Sequence, residues 1–327
     1  MRIAIVGATG LVGRKIIQVI EEMNIPVSEL ILAASEKSVG LELSFKGKMI
    51  GVLRIQDALE MKPDFALFSA GGNVSKEWAP KFAENGIRVI DNSSAWRMEE
   101  GIPVVVPEIN LDSVNSSDNL IANPNCSTIQ LLMAVAPIHK KFGLKRMIIS
   151  TYQSVTGSGS IAVSQLMKER KDEEVANPAY PHRIDLNLIP HCDDFLENGY
   201  TKEEMKLVNE SRKILNAPHL KISATAVRVP VIGGHSESVN IELENEASVE
   251  SIRELLKNTP GIVLLDNPST KEYPMPRMGH EKNDVFVGRI RKDESADNSF
   301  NLWVVSDNLR KGAATNAVQI MTALSKK

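Results

Sequence analysis

The chain has 327 residues, 43% of them hydrophobic and 24% charged, with a net charge of -3; this is the make-up of a globular protein of two domains. The slight negative charge argues against a general nucleic-acid or membrane-surface role. No run approaches the roughly 18 apolar residues of a membrane span, and two cysteines build no disulfide framework, which points to a reducing cytoplasm.

The N-terminal stretch Met1-Arg2-Ile3-Ala4-Ile5-Val6 is too short an apolar run for a signal peptide. Residues 3–6 read as a buried parallel strand that ends at Gly7. The loop Gly7-Ala8-Thr9-Gly10-Leu11-Val12-Gly13 follows, and Leu11, Ile16, Ile17, Val19 and Ile20 outline a helix. A glycine loop between a strand and a helix is the setting of the dinucleotide fingerprint. Gly7 permits the tight turn, Gly10 lets backbone approach a pyrophosphate, and Gly13 lets helix and strand pack closely. The pyrophosphate would rest on the helix N-terminus. The G-x-x-G-x-x-G spacing is shared with unrelated reductases and epimerases, so the loop indicates a class of cofactor and no reaction.

A second strand at 30–34 leads into Ser35-Glu36-Lys37-Ser38. Ser35, Lys37 and Ser38 suit a 2′-phosphate, while Glu36 speaks for the ribose hydroxyls of NAD; a solvated loop is the plain alternative. A strand at 65–69, a helix at 75–85 and strands at 87–90 and 120–122 complete the alternation. That alternation predicts a Rossmann-like domain over residues 1–125, a parallel sheet with helices on both faces.

The segment Asn123-Pro124-Asn125-Cys126-Ser127-Thr128 then stands before an apolar run at helical spacing, Ile129, Leu132, Met133 and Ala136. Asn125, Ser127 and Thr128 favour helix starts. Cys126 is thereby predicted at a helix N-terminus, where the dipole favours a thiolate and N–H groups suit an oxyanion. A buried structural cysteine is the competing reading.

Beyond residue 142 the texture changes. A longer strand at 147–155 ends in Gln153-Ser154-Val155-Thr156-Gly157-Ser158-Gly159, and a helix is expected from there to about 174. A Pro-, His- and Asn-rich loop spans 177–194, and a charged helix 202–215. Strands at 222–229, 237–243, 285–291 and 300–306, with a helix at 249–257, predict a largely antiparallel sheet with one helical face. The result is a C-terminal α+β domain over 126–307, with a final helix of about 308–327 returning to the first domain. Arg228 and His235 flank the turn Pro230-Val231-Ile232-Gly233-Gly234, and Asn92-Ser93-Ser94-Ala95-Trp96-Arg97 ends a strand with another arginine. Singly each has a plain reading: a surface arginine, a capping glutamine, a structural histidine.

Together these segments resemble the aspartate-semialdehyde dehydrogenase family. The resemblance runs nearly end to end, from the glycine loop to Asp307-Asn308-Leu309-Arg310-Lys311-Gly312-Ala313-Ala314. It implies an NADPH-dependent reductive dephosphorylation of aspartyl phosphate through a cysteine thioester, in the biosynthesis of lysine, threonine, methionine and isoleucine. Cys126 would be the nucleophile and His235 the acid/base, with a pKa near working pH. Gln153 would orient the acyl group. Arg228 would clamp the substrate carboxylate in a bidentate fork, and Arg97 would match the phosphate-site arginine. Glu210 and Lys213 match a further substrate element, with Asn125 beside the nucleophile. Gly7, Thr9, Gly10, Leu11, Val12, Ser35, Lys37 and Ser38 would hold NADP, and Thr156, Gly157 and Asn308 would touch its nicotinamide side. Inorganic phosphate is the implied co-substrate, and a homodimer built through the second domain, or a homotetramer, is the implied assembly.

The chain departs from the family where Lys37 stands in place of a common arginine, which leaves the strictness of NADP preference open, and where Ser211 replaces a frequent threonine. Cys192 matches no motif and reads as structural. An N-acetyl-glutamyl-phosphate reductase is the nearest enzyme alternative, and a catalytically inactive NADP-sensing protein is the alternative of another class. A zinc site fails on spacing, because His191 and Cys192 lack a second Cys or His pair nearby.

Overall fold

The computed structural model describes residues 1–326, which fall into two compact units, Met1–Asn125 with the chain from Ala313 onward, and Cys126–Gly312. The first unit runs β1 (Arg2–Val6), α1 (Leu11–Glu22), β2 (Glu29–Ala34), β3 (Glu42–Phe45), β4 (Lys48–Arg54), α2 (Ile55–Glu60), β5 (Phe65–Phe68), α3 (Gly72–Glu84), β6 (Arg88–Asp91), α4 (Pro107–Asn110) and β7 (Leu120–Ala122). Its sheet has the order β3-β4-β2-β1-β5-β6-β7, parallel throughout except for the β3–β4 pair. β1 is central, so both its faces are covered. Ile3 and Ile5 pack with Ile16 and Ile20 of α1 and with Val318 and Met321 of the last helix. Ala4 and Val6 point the other way, among Ala79 and Phe82 of α3. That is why the strand reads as one unbroken apolar run.

The β3–β4 hairpin and α2 escape the sequence reading. β3 alternates exposed and buried residues over only four positions. Lys46 and Gly47 between the strands both adopt positive φ, 48° and 75°, the twist that two-residue hairpin loops require. The helix expected at 75–85 begins earlier, at Gly72.

The second unit runs α5 (Cys126–Phe142), β8 (Leu144–Gln153), α6 (Ser160–Glu169), α7 (Lys202–Ile214), β9 (Lys221–Arg228), β10 (His235–Leu243), α8 (Val249–Lys257), β11 (Ile262–Leu264), α9 (Pro276–Gly279), β12 (Val285–Lys292) and β13 (Ser299–Ser306). The sheet order is β11-β12-β13-β10-β8-β9. Its three inner pairings are antiparallel, but both edges pair parallel, β9 on β8 and β11 on β12. The sheet is thus largely antiparallel, as expected, with a parallel pair at each edge that the sequence reading did not include. β8 and β9 are joined through α6 and α7, a crossover long enough to return the chain in the same direction. α6 stops at Glu169, short of the expected 174. The final helical segment runs without a break from a π-helical turn at Arg310–Ala314 into α10 (Thr315–Leu324), close to the expected start near 308; residues 308–312 belong to the second unit.

One face of this second sheet is buried under α5, α7 and α8. Met147, Ile149, Thr151 and Gln153 of β8, Ala224, Ala226 and Arg228 of β9, and His235, Glu237 and Val239 of β10 all point into it. Strand alternation thus carries polar side chains inward at one end of the sheet. α5 is buried around most of its circumference, and His139, Lys140 and Lys141 in its last turn complement the dipole.

Candidate active site

Cys126 is the first residue of α5. Gln153 ends β8, Arg228 ends β9 in direct register with Gln153, and His235 opens β10 on the other side of β8. Three neighbouring strands therefore deliver three polar groups to one end of the buried face. The Cys126 Sγ lies 3.4 Å from Nε2 of His235.

Ser154, absent from the sequence-level candidates, ties this cluster together. Its backbone N–H donates to Nδ1 of His235 at 3.0 Å, and its carbonyl accepts from Nη1 of Arg228 at 2.8 Å. An N–H only donates, so Nδ1 is an acceptor and the neutral ring carries its proton on Nε2, facing the sulfur. His235 is completely buried. That burial first, and then the Arg228 charge, pushes its pKa down from 6.5 to about 3, with Glu203 pulling weakly the other way. The expected pKa near working pH is not met in the resting chain: the ring is neutral because it is desolvated. A thiolate at Sγ would draw the value back up.

Arg228 is 5% exposed. Its guanidinium lies 5.9 Å from the Tyr180 ring centroid and beside the Cys192 thiol, and no carboxylate of the described residues comes within ion-pair distance of it. A buried cation without a counter-ion is costly unless an anion joins it. Cys192 is buried, and desolvation pushes its thiol up to about 11 despite the Arg228 charge. It is therefore a protonated wall of the Arg228 pocket.

Two glycines admit close approaches. A Cβ on Gly157 would lie 2.8 Å from Arg228 Nη1 and 3.3 Å from the His235 ring, and one on Gly312 would lie 2.9 Å from Cβ of Cys126. Thr156 and Ser154 hydroxyls both reach Oδ1 of Asn308, at 3.0 and 3.3 Å, so Thr156, Gly157 and Asn308 do gather with the cluster. Glu210 is buried on α7, and Lys213 lies one turn further on. The carboxylate of Glu237, two residues along β10 from His235, is wholly buried without a hydrogen-bond partner. Burial pushes its pKa well above the usual carboxylate range. His280, Glu281 and Asp307 also converge. Their oxygens are committed, Glu281 to Arg310 at 2.6 Å and Asp307 to backbone N–H groups and His280, which makes a poor metal site.

In the first unit the glycine loop has the geometry that its sequence implies. A Cβ on Gly7 would meet Ser69 O at 2.3 Å, and one on Gly13 would meet Gly7 O at 2.2 Å. Gly10 caps α1 without a side chain, leaving the first-turn N–H groups available to a pyrophosphate. Thr9 and Ser38 hydroxyls approach to 3.4 Å, with Ser35, Lys37 and Ser38 on and before a 3-10 turn. Glu36 is exposed and lies 3.9 Å from Arg54, a residue that the sequence reading missed because it ends the unrecognised β4. Arg97 is buried; its Nε and Nη2 donate to the carbonyls of Asn123 and Asn92 at 2.9 and 2.8 Å. It thus braces the strand end that leads through Asn125 to Cys126.

Residues 2–117 match the semialdehyde dehydrogenase NAD binding domain and residues 135–311 the semialdehyde dehydrogenase dimerisation domain. An aspartate-semialdehyde dehydrogenase of Aquifex aeolicus is 53% identical over 99% of this chain and 98% of its own length. The chain belongs to the aspartate-semialdehyde dehydrogenase family. A Bacillus subtilis member is 47% identical over the whole of this chain and 98% of its own. The solved aspartate semialdehyde dehydrogenase II of Vibrio cholerae, in complex with ASA, superimposes with a TM-score of 0.95 at 43% identity, covering 100% of this chain and 98% of that one. Family membership supplies the NAD(P)-binding domain and the dimerisation domain in the two stretches matched.

Proposed function

We propose that this chain catalyses the reversible, NADPH-dependent reductive dephosphorylation of L-aspartyl 4-phosphate to L-aspartate 4-semialdehyde, in the biosynthesis of lysine, threonine, methionine and isoleucine. The observation that carries it is the Cys126–His235 pair at 3.4 Å beside a buried Arg228 that has no carboxylate partner among the described residues. Such a guanidinium is ready for a substrate carboxylate. The Cys126 thiolate attacks the acyl carbon, a C–S bond forms, and the C–O bond to phosphate breaks. The Nε2–H of His235 stabilises the sulfur anion, and the dipole of α5 adds to this. NADPH, which the glycine loop Gly7–Gly13 would hold by its pyrophosphate, would supply the hydride needed to reduce the thioester. His235 then exchanges a proton with the substrate oxygen as Cys126 leaves. Gln153 orients the acyl group, Lys213 takes the phosphate and Glu210 borders the substrate.

The relatives carry the aspartate-semialdehyde name, which sets aside the N-acetyl-glutamyl reading, and the intact Cys126, Gln153, Arg228 and His235 set aside an inactive sensor. NADP rather than NAD is supported by Lys37, Ser35 and Ser38, with Glu36 turned toward Arg54. A homodimer is supported by the open face of the second sheet. There Tyr152 and Trp303 lie 5.4 Å apart beside a cavity that Met275 and Arg289 also line, and Ile148 is exposed. A second copy would cover this face. No helix of the described residues is long and apolar enough to cross a membrane, and neither cysteine forms a disulfide; a cytoplasmic enzyme fits both.

The test is phosphate-dependent reduction of NADP with aspartate semialdehyde. Activity is expected in the wild type and none in Cys126→Ala, whose fold and NADP binding should persist. Near-wild-type turnover in the variant would sink the mechanism.

A further inference from the structure

Gln153 is 1% exposed, and its amide nitrogen is fully engaged within the protein. Nε2 donates to a carboxylate oxygen of Glu203 at 3.1 Å and to the Thr151 hydroxyl at 3.3 Å. An ionised carboxylate only accepts, so it selects the NH2 end of the amide and repels the carbonyl end. Glu203 itself is held in place. It sits in the first turn of α7, whose N-terminus is fixed by a capping box between Thr201 and Glu204. Its other oxygen pairs with Lys206 at 3.0 Å, and Lys206 also pairs with Asp193 at 2.7 Å. Both amide hydrogens of Gln153 are thus spent, and no described residue donates to its Oε1.

We propose that Glu203 is a positioning residue that locks Gln153 in one amide orientation, so that Gln153 offers the substrate a hydrogen-bond acceptor, Oε1, and not an oxyanion donor. The inference rests on the reading of Gln153 as the acyl-orienting residue and deepens it. In Glu203→Gln the neighbour becomes an amide that donates or accepts equally well. Gln153 is then free to turn over, and half of its orientations present the wrong end.

A double-mutant cycle tests this on the full chain, with kcat and KM for phosphate-dependent oxidation of aspartate semialdehyde as readouts and thermal unfolding as the control for fold. Glu203→Gln is expected to lower kcat about twofold, because about half of the molecules then hold the amide the wrong way round, with little change in KM. Gln153→Ala should lose at least as much, and the double variant should be no worse than Gln153→Ala alone. Glu203→Asp, which keeps the carboxylate, should recover most of the loss and serves if Glu203→Gln does not fold. An equal fold-loss from Glu203→Gln with and without Gln153 would overturn the proposal, because the carboxylate would then act through its charge on His235. Unchanged kcat in Glu203→Gln, or full loss in a folded Glu203→Asp, would overturn it as well. Wild-type kcat in Gln153→Ala would remove the reading of Gln153 itself and this inference with it.

Discussion

Burial of His235 has a measurable consequence in the resting protein. The folded ring titrates near 3 and the unfolded one near 6.5. Between those values the unfolded chain binds the extra proton, so acid favours unfolding. The stability that comes from keeping His235 neutral is fully present above pH 6.5 and is lost as pH falls toward 3. The whole shift corresponds to an upper bound of about 5 kcal/mol at about 1.36 kcal/mol per unit. At pH 5 the loss relative to pH 8 is about 2 kcal/mol, because the folded form does not yet take up the proton. His235→Asn removes this contribution. Urea unfolding of wild type and variant at pH 8 and pH 5 should therefore converge by about 2 kcal/mol on acidification if the variant starts less stable. A direct check uses carbon-13-labelled histidine. The chain has six histidines, and the resonance missing in His235→Asn should show no titration between pH 5 and 8. A midpoint between pH 6 and 7 for that resonance, or parallel pH profiles for the two proteins, would refute the reasoning.

Other residues offer independent checks. Arg228→Lys keeps the charge but loses the planar fork and the geometry of the bond to the Ser154 carbonyl; a large fall in kcat/KM for aspartate semialdehyde is expected, and unchanged kinetics would move Arg228 out of the site. Glu237 has a folded pKa raised above 4.5, so its contribution is most favourable below pH 4.5 and is lost as pH rises toward the folded value. Glu237→Gln should consequently gain stability over wild type between pH 5 and pH 8 in urea unfolding, and a pH-independent difference would count against a buried neutral acid. Lys37→Ala should reduce kcat/KM for NADP roughly ten- to a hundredfold while sparing NAD; equal losses for both cofactors would show that the 35–38 turn does not read a 2′-phosphate.

Much of this protein is legible in one dimension because local physics decides it. The apolar run 3–6, the glycine loop and the helix after it depend on short-range sterics and on burial from both faces, and β1, Gly7 and Gly13 sit as that logic requires. Cys126 at a helix start follows from the residues around it. The hairpin at 42–54 does not, since its alternation spans too few residues to stand out from a loop. The electrical state of the site could come only from the tertiary structure. The neutral ring of His235, the raised pKa of Glu237 and the protonated thiol of Cys192 are set by desolvation, a property of everything packed around a group and not of its neighbours in sequence. The same holds for Ser154 and Glu203. One acts through a backbone N–H and carbonyl that every residue owns, and the other through a carboxylate brought to Gln153 from a helix 50 residues away in the chain. Strand register and helix placement, which join distant segments, made them part of the site.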